Sequence, residues 1–198
     1  MEKEFEVHGR GEYRTQGIFL VYSSPEFDVG WKLHVVKLRG LSVEHPHLPQ
    51  DYLEFLAYLC TEGIPHKLAR NHLSGIGAME KVETQIGKFI TIYPADTAQL
   101  KILPIMIDLL VPAELAGSPN APGDRPVSSQ GLTSARWGGL TGKNAVDSRG
   151  LVVPDNRHAA RPDWVQDPFD PASKGVDAWH KFPGPEDEDQ SGWEEVHL

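Results

Sequence analysis

Apolar positions recur along this chain with two different periods. Gln16 to Ser23 (QGIFLVYS) is a short β-rich run. Trp31 to Lys37 (WKLHVVK) alternates between apolar and polar positions, and both runs predict strands. From Pro49 to Thr61 the period lengthens. Tyr52, Phe55, Leu56 and Leu59 fall at i, i+3, i+4 and i+7, which predicts a helix with one apolar stripe. Gly63 is placed to end that helix. Ile64 to Ala69 reads as a short extended segment. Arg70 to Glu83 carries a weak helical pattern broken by Gly75 and Gly77. Lys88 to Tyr93 (KFITIY) is the clearest strand signal, and Pro94 stops it. Asp96 or Thr97 then caps a helix running to Leu110, with a kink expected at Pro104. Beyond Pro112 the periodicity dissolves into Gly, Pro, Ser and Asn as far as Pro162. Only short strands are expected there, near Ala135 to Gly138 and Leu151 to Val153. A long irregular stretch of this kind is usually functional or disordered. This order of elements fits a mixed α+β or α/β domain.

Composition narrows the reading. The chain has 198 residues, 39% of them hydrophobic and 24% charged, which suits one domain with a tail. The net charge is −9 and it is unevenly spread. Residues 167–198 hold nine acidic and two basic side chains, so the rest of the chain is nearly neutral. A general nucleic-acid binder is disfavoured, because binding a phosphate backbone needs a basic face. Residues 183–198 read as a solvated acidic segment, with Trp193 inside it. One cysteine, Cys60, excludes an internal disulfide and a cysteine-based zinc site. Met1 to Arg10 lacks the apolar core of a signal peptide. The run from Ile102 to Val111 is interrupted by Pro104 and Asp108 and is too short to span a bilayer. A cytoplasmic protein with no membrane partner is expected.

No phosphate-binding loop, dinucleotide fingerprint or nucleophile elbow is present. The candidate chemistry lies elsewhere. Lys32 and His34 are two apart on a predicted strand, so they share a face while Leu33 and Val35 point to the core. By themselves they read as an exposed pair. Lys67 sits in an apolar extended segment (IPHKLA), where lysines are uncommon. It is either an edge lysine that snorkels to water or a base whose proton affinity neighbouring cations reduce. Arg125, Arg136, Lys143, Arg149 and Arg157 fall in the loop-rich segment. Arginine suits bidentate recognition of phosphate or carboxylate, although scattered surface charge is the simpler reading of the residues alone. Tyr93 ends the KFITIY strand, where a hydroxyl can donate to an anion. His45 and His47 share a face if extended, but no third ligand stands at a recognisable spacing, and no metal site is assigned.

Several segments taken together resemble a known family. They are GWKLHVV (30–36), GIPHKLAR (63–70), GKFITIYPAD (87–96), DRP (124–126), ARWGGL (135–140), VPDNR (153–157) and PDWVQDPFD (162–170). In this order and spacing they resemble the N-terminal lyase domain of class III and IV lanthipeptide synthetases, LanKC and LanL. That domain is similar in turn to the effector phosphothreonine lyases OspF and SpvC. The resemblance implies an α+β fold with a mixed, mostly antiparallel sheet, flanking helices and long loops. It implies a lyase-like domain over residues 1–171, followed by an acidic, flexible tail over 172–198. It implies elimination of phosphate from phosphoserine or phosphothreonine in a peptide, giving dehydroalanine or dehydrobutyrine, with no metal or organic cofactor. Lys67 matches the family's general base. His34 matches the acid that protonates the departing phosphate, and Lys32 matches the lysine that holds phosphate or enolate. Tyr93 and Arg136 match phosphate contacts, and a further family arginine corresponds to Arg125, Lys143, Arg149 or Arg157, with Arg125 and Arg157 favoured. The implied partners are a phosphorylated precursor peptide, a separate Ser/Thr kinase, and a cyclase or decarboxylase. One position departs from the family: a phosphate-binding arginine is expected near Glu83, which is acidic, with Lys81 or Arg70 as the candidate substitutes. The alternative reading is therefore a non-catalytic module that binds the precursor peptide or stabilises the kinase.

Overall fold

The computed structural model describes residues 13–36, 48–69, 87–117, 120, 122–140, 145–146, 152–153, 164–175 and 179. Nine strands and two α-helices are found among them: β1 (Arg14–Gln16), β2 (Phe19–Val21), β3 (Val29–Val36), α1 (Gln50–Thr61), β4 (His66–Ala69), β5 (Lys88–Ile92), α2 (Thr97–Leu110), β6 (Arg125–Pro126), β7 (Thr133–Gly139), β8 (Ala145–Val146) and β9 (Val152–Val153). Seven strands form one open sheet in the order β1-β2-β4-β5-β3-β7-β6, and every neighbouring pair is antiparallel. The fold is α+β. Strands β8 and β9 pair with each other in a separate small ribbon.

The helix expected from the Tyr52, Phe55, Leu56, Leu59 stripe is α1, and all four side chains are buried. Gly63 follows it at φ +66°, the left-handed conformation that glycine adopts without strain. The cap of α2 falls on Asp96, whose carboxylate accepts from the Gln99 amide at 2.8 Å. Pro104 lies inside α2.

Two expectations are corrected. The run from Gln16 to Ser23 is not one strand. It turns at Gly17 (φ +58°) and Ile18, so β1 and β2 form a hairpin. Residues 133–139 are not a short strand in a loop. They form a seven-residue strand, β7, paired along its length with β3. The sequence TSARWGG has little β propensity, and its pairing with β3 overrides that local preference. The weak helix read from Arg70 to Glu83 lies outside the described residues, as do His45 and His47.

Alternation gives the sheet two unlike faces. Leu20, Leu33, Val35, Leu68, Ile90 and Ile92 point to one face and join the buried core with α1 and α2. The other face carries the polar side chains of the same strands. On the core side β4 also buries His66, which has no solvent exposure. Its Nδ1–H donates to the Ile64 carbonyl at 2.8 Å, so Nε2 accepts from the Tyr13 hydroxyl at 2.6 Å. The Tyr22 ring stacks on the imidazole at 5.1 Å.

Burial pushes His66 down to about 4, so the folded protein keeps it neutral. An unfolded chain binds that proton near pH 6.5. Below that pH the unfolded state therefore holds more protons, and stability falls as pH drops from about 6.5 to 4. The loss is on the order of 3 kcal/mol when fully expressed. Urea midpoints at pH 7 and pH 5 check this: the midpoint should be lower at pH 5, and His66→Gln should narrow the gap. An equal gap in the variant would remove His66 as the cause.

Candidate active site

The polar face of the sheet is read most simply as rows across the strands. In one row Val21 pairs with Lys67, Lys67 with Thr91, Thr91 with His34 and His34 with Ser134. In the next row Lys32 pairs with Arg136, and Tyr93 follows β5. Paired residues in an antiparallel sheet share a face. Lys32, His34, Lys67, Tyr93 and Arg136 are thus brought onto one face by four strands. Their segments are spread over the chain from position 32 to 136, and the sheet order joins them.

His34 is the centre of the arrangement. It is 4% exposed, and its Nδ1 lies 2.5 Å from the Asp124 carboxylate. Ser134 Oγ donates to the same carboxylate oxygen at 3.1 Å. Arg136 Nη1 stands 3.8 Å from the other oxygen, which has no hydrogen-bond partner among the described residues. Burial pushes the His34 imidazole down, to about 4, and the Lys88 and Lys32 charges act in the same direction. The Asp124 hydrogen bond opposes them without prevailing. Burial works to raise the Asp124 pKa, but the His34 hydrogen bond and the nearby cations outweigh it and hold it below the usual range. The site therefore pairs a carboxylate with a neutral imidazole. Nδ1–H donates to Asp124, which leaves Nε2 as the ring's accepting nitrogen.

The cations are held on distinct supports. Lys67 Nζ lies 4.2 Å from the centroid of the Phe19 ring and 6.0 Å from that of Tyr93. Lys32 Nζ donates to the Gly139 carbonyl at 2.8 Å. Lys88 enters from the start of β5. The β3–β5 register shifts between Val35 and Val36, so Val36 faces Lys88 and the lysine comes to the His34 side. Its charge acts on both His34 and Asp124. Tyr93 is buried, and burial pushes its hydroxyl well above the ordinary range, so it stays protonated. The face gathers four cationic side chains, of which Lys88 and Arg136 act on the Asp124 carboxylate, an arrangement that suits a dianion.

Arg125 is placed elsewhere. It pairs with Ala135, a core-face residue, so it points away from His34. Its guanidinium forms an ion pair with Asp167 and lies 5.5 Å from the Phe169 ring. Its predecessor Asp124 takes the opposite side of β6 and enters the site. The DRP segment is thus brought to the site through its aspartate. Adjacent residues on a strand cannot both face His34, so Asp124 and Arg125 part company here. Arg157, Lys143, Arg149, Arg70, Lys81 and Glu83 lie outside the described residues.

Trp179 lies within the segment expected to be a flexible tail. A Cβ on Gly30 would come within 2.5 Å of the Trp179 ring. Gly30 has the same strand parity as Lys32 and His34, so the indole lies on the polar face beside them. Its Nε1–H donates to the Pro94 carbonyl at 2.9 Å, next to Tyr93. Gly30→Ala should displace the indole at a cost of about 1–3 kcal/mol, the range for overpacking. Denaturation followed by tryptophan emission checks it, and an unchanged midpoint would show that Trp179 is not held there.

One face of the sheet thus presents a His–Asp pair, a ring-supported lysine and an arginine. A match to the RamC N-terminal domain spans residues 12–181, and the chain belongs to this family. RamC is related to lanthipeptide synthetases, which links this chain to lanthipeptide-type biosynthesis. No curated protein matches the chain. No helix among the described residues is long and apolar enough to cross a membrane. No group of three or more His, Cys, Asp or Glu among them could hold a metal ion.

Proposed function

We propose that this protein is a phosphoserine/phosphothreonine lyase acting on a precursor peptide in lanthipeptide-type biosynthesis. The observation that carries the reading is the placement of Lys67 and the His34–Asp124 pair in one row on one face, separated by Thr91. Strands in a sheet are about 4.8 Å apart, so the two backbones stand about 10 Å from each other. A phosphorylated side chain fits between them, with its Cα toward Lys67 and its phosphate toward His34.

The chemistry then follows from the groups present. The Lys67 amine, once neutral, takes the Cα proton. The electron pair of that C–H bond becomes the second bond between Cα and Cβ. The Cβ–O bond breaks and its electrons leave with phosphate. Arg136, Lys32, Lys88 and the Tyr93 hydroxyl stabilise the enolate-like charge and the phosphate. The free imidazole is neutral, so its acid role begins only when phosphate binds. A dianion beside Nε2 favours the protonated ring, with Asp124 supporting it from the Nδ1 side. His34 Nε2–H then donates to the leaving oxygen.

This reading needs a Ser/Thr kinase to make the substrate, and a cyclase or decarboxylase is a further partner on it. The test is to incubate a synthetic phosphoserine peptide with the protein and a thiol. Release of phosphate with a thiol adduct at the former serine supports elimination. Peptide binding without release of phosphate would favour the non-catalytic module.

A further inference from the structure

The β1–β2 hairpin and the segment after β2 rise beside Lys67 and bound a cavity of about 480 Å³. That volume falls in the ordinary range for ligand sites, about 300–1,000 Å³. Lys67 and Tyr93 line it, so it is continuous with the cationic face. The rest of its character is different. Ile18, Phe19, Val21 and Leu140 supply apolar wall, and Lys67 is the one charged residue among those lining it. Ile18 and Phe19 are half-buried, so this wall is open to a ligand.

On the elimination reading, Lys67 stands below the Cα of the phosphorylated residue and the phosphate lies toward His34. His34, Lys32 and Arg136 are not among the residues lining the cavity, so it stands apart from the phosphate end of the site. What reaches the cavity is therefore a neighbouring residue of the peptide. We propose that the cavity is a subsite for an apolar side chain flanking the phosphorylated residue, with Ile18 and Phe19 setting the preference. This inference rests on the elimination reading for the position of the peptide.

The chemistry of the walls decides against other occupants. A basic side chain meets Lys67 and is desolvated without a partner. An acidic side chain pairs with the Lys67 ammonium and keeps on the proton that the base must lose. Glycine leaves the apolar wall wet. Leucine, isoleucine or valine removes both surfaces from water.

The test uses phosphoserine peptides identical except for Leu, Gly, Asp or Lys placed immediately before, or immediately after, the phosphoserine. Turnover is measured with the full chain. Binding is measured separately with phosphonate analogues, whose carbon–phosphorus bond cannot be eliminated. In one of the two positions Leu should exceed Gly by about tenfold in kcat/KM and in affinity, with Asp slowest to turn over. Ile18→Asp, with its fold checked by circular dichroism, should lose the preference for Leu and gain one for Lys. Equal values for all four residues at both positions, with elimination intact, would overturn the subsite and leave the lyase reading standing. A Leu preference in binding without any elimination would support the subsite and count against the lyase.

Discussion

Lys67→Ala should lower kcat/KM for phosphopeptide elimination by about a hundredfold to ten-thousandfold, the usual contribution of a positioned general base. The Cα proton beside an amide is weakly acidic, so no water in the site replaces the amine well. The structure gives the amine a defined place. Lys67 leaves β4 on the polar face and its Nζ lies over the Phe19 ring. The strand holds its backbone between β2 and β5. Its neighbours Leu68 and His66 carry the packing on the other face, so truncation of Lys67 removes little of the core. The variant should therefore keep its melting temperature and lose its turnover. It should still bind a phosphopeptide, because Arg136 and Lys32 remain. Turnover within a few-fold of the parent would exclude Lys67 as the base.

Asp124→Asn should lower turnover by about a hundredfold, and it should change the shape of the pH profile. On the lyase reading Asp124 is a positioning residue. It touches His34 and Ser134, and its side chain is fully buried. Its hydrogen bond favours the protonated form of the buried His34, and on the lyase reading that support lets the ring take a proton when phosphate binds. An amide in its place keeps the size and removes that support. His34 then holds a proton less readily, so the alkaline limb of the profile should move to lower pH. Arg136 also loses the carboxylate that stands 3.8 Å away. A stability loss on the order of 1–3 kcal/mol should accompany the change, since buried polar groups lose a charged partner. The pH shift separates the two effects. A merely structural role would lower the fraction folded and leave the limbs where they were.

The fold was legible where burial alone sets the pattern. The α1 stripe, the KFITIY strand and the Asp96 cap all follow from local periodicity or local hydrogen bonding. The β1–β2 hairpin was hidden because a single glycine, Gly17, marks its turn inside an otherwise continuous β-rich run. Strand β7 was hidden because its site-face residues are polar and its pairing with β3 is long-range. The site was legible in the same measure. Alternation put Lys32 and His34 on one face, and the sheet adds Arg136 directly opposite Lys32. Alternation on β6 also separates Asp124 from Arg125, yet a two-residue edge strand gives no pattern from which to see it. Lys88 depends on a register shift, which is a property of two strands together. Trp179 depends on the missing side chain of Gly30, more than a hundred positions earlier in the chain.

The central claim is that Lys67 and His34 act on one phosphorylated residue by elimination. The most direct measurement is the mass of a synthetic phosphoserine peptide after incubation with the protein and with Lys67→Ala. Elimination predicts a product one water lighter than the unphosphorylated peptide, formed by the parent protein and not by the variant. A product equal in mass to the unphosphorylated peptide would mean hydrolysis of the ester, and would contradict the claim.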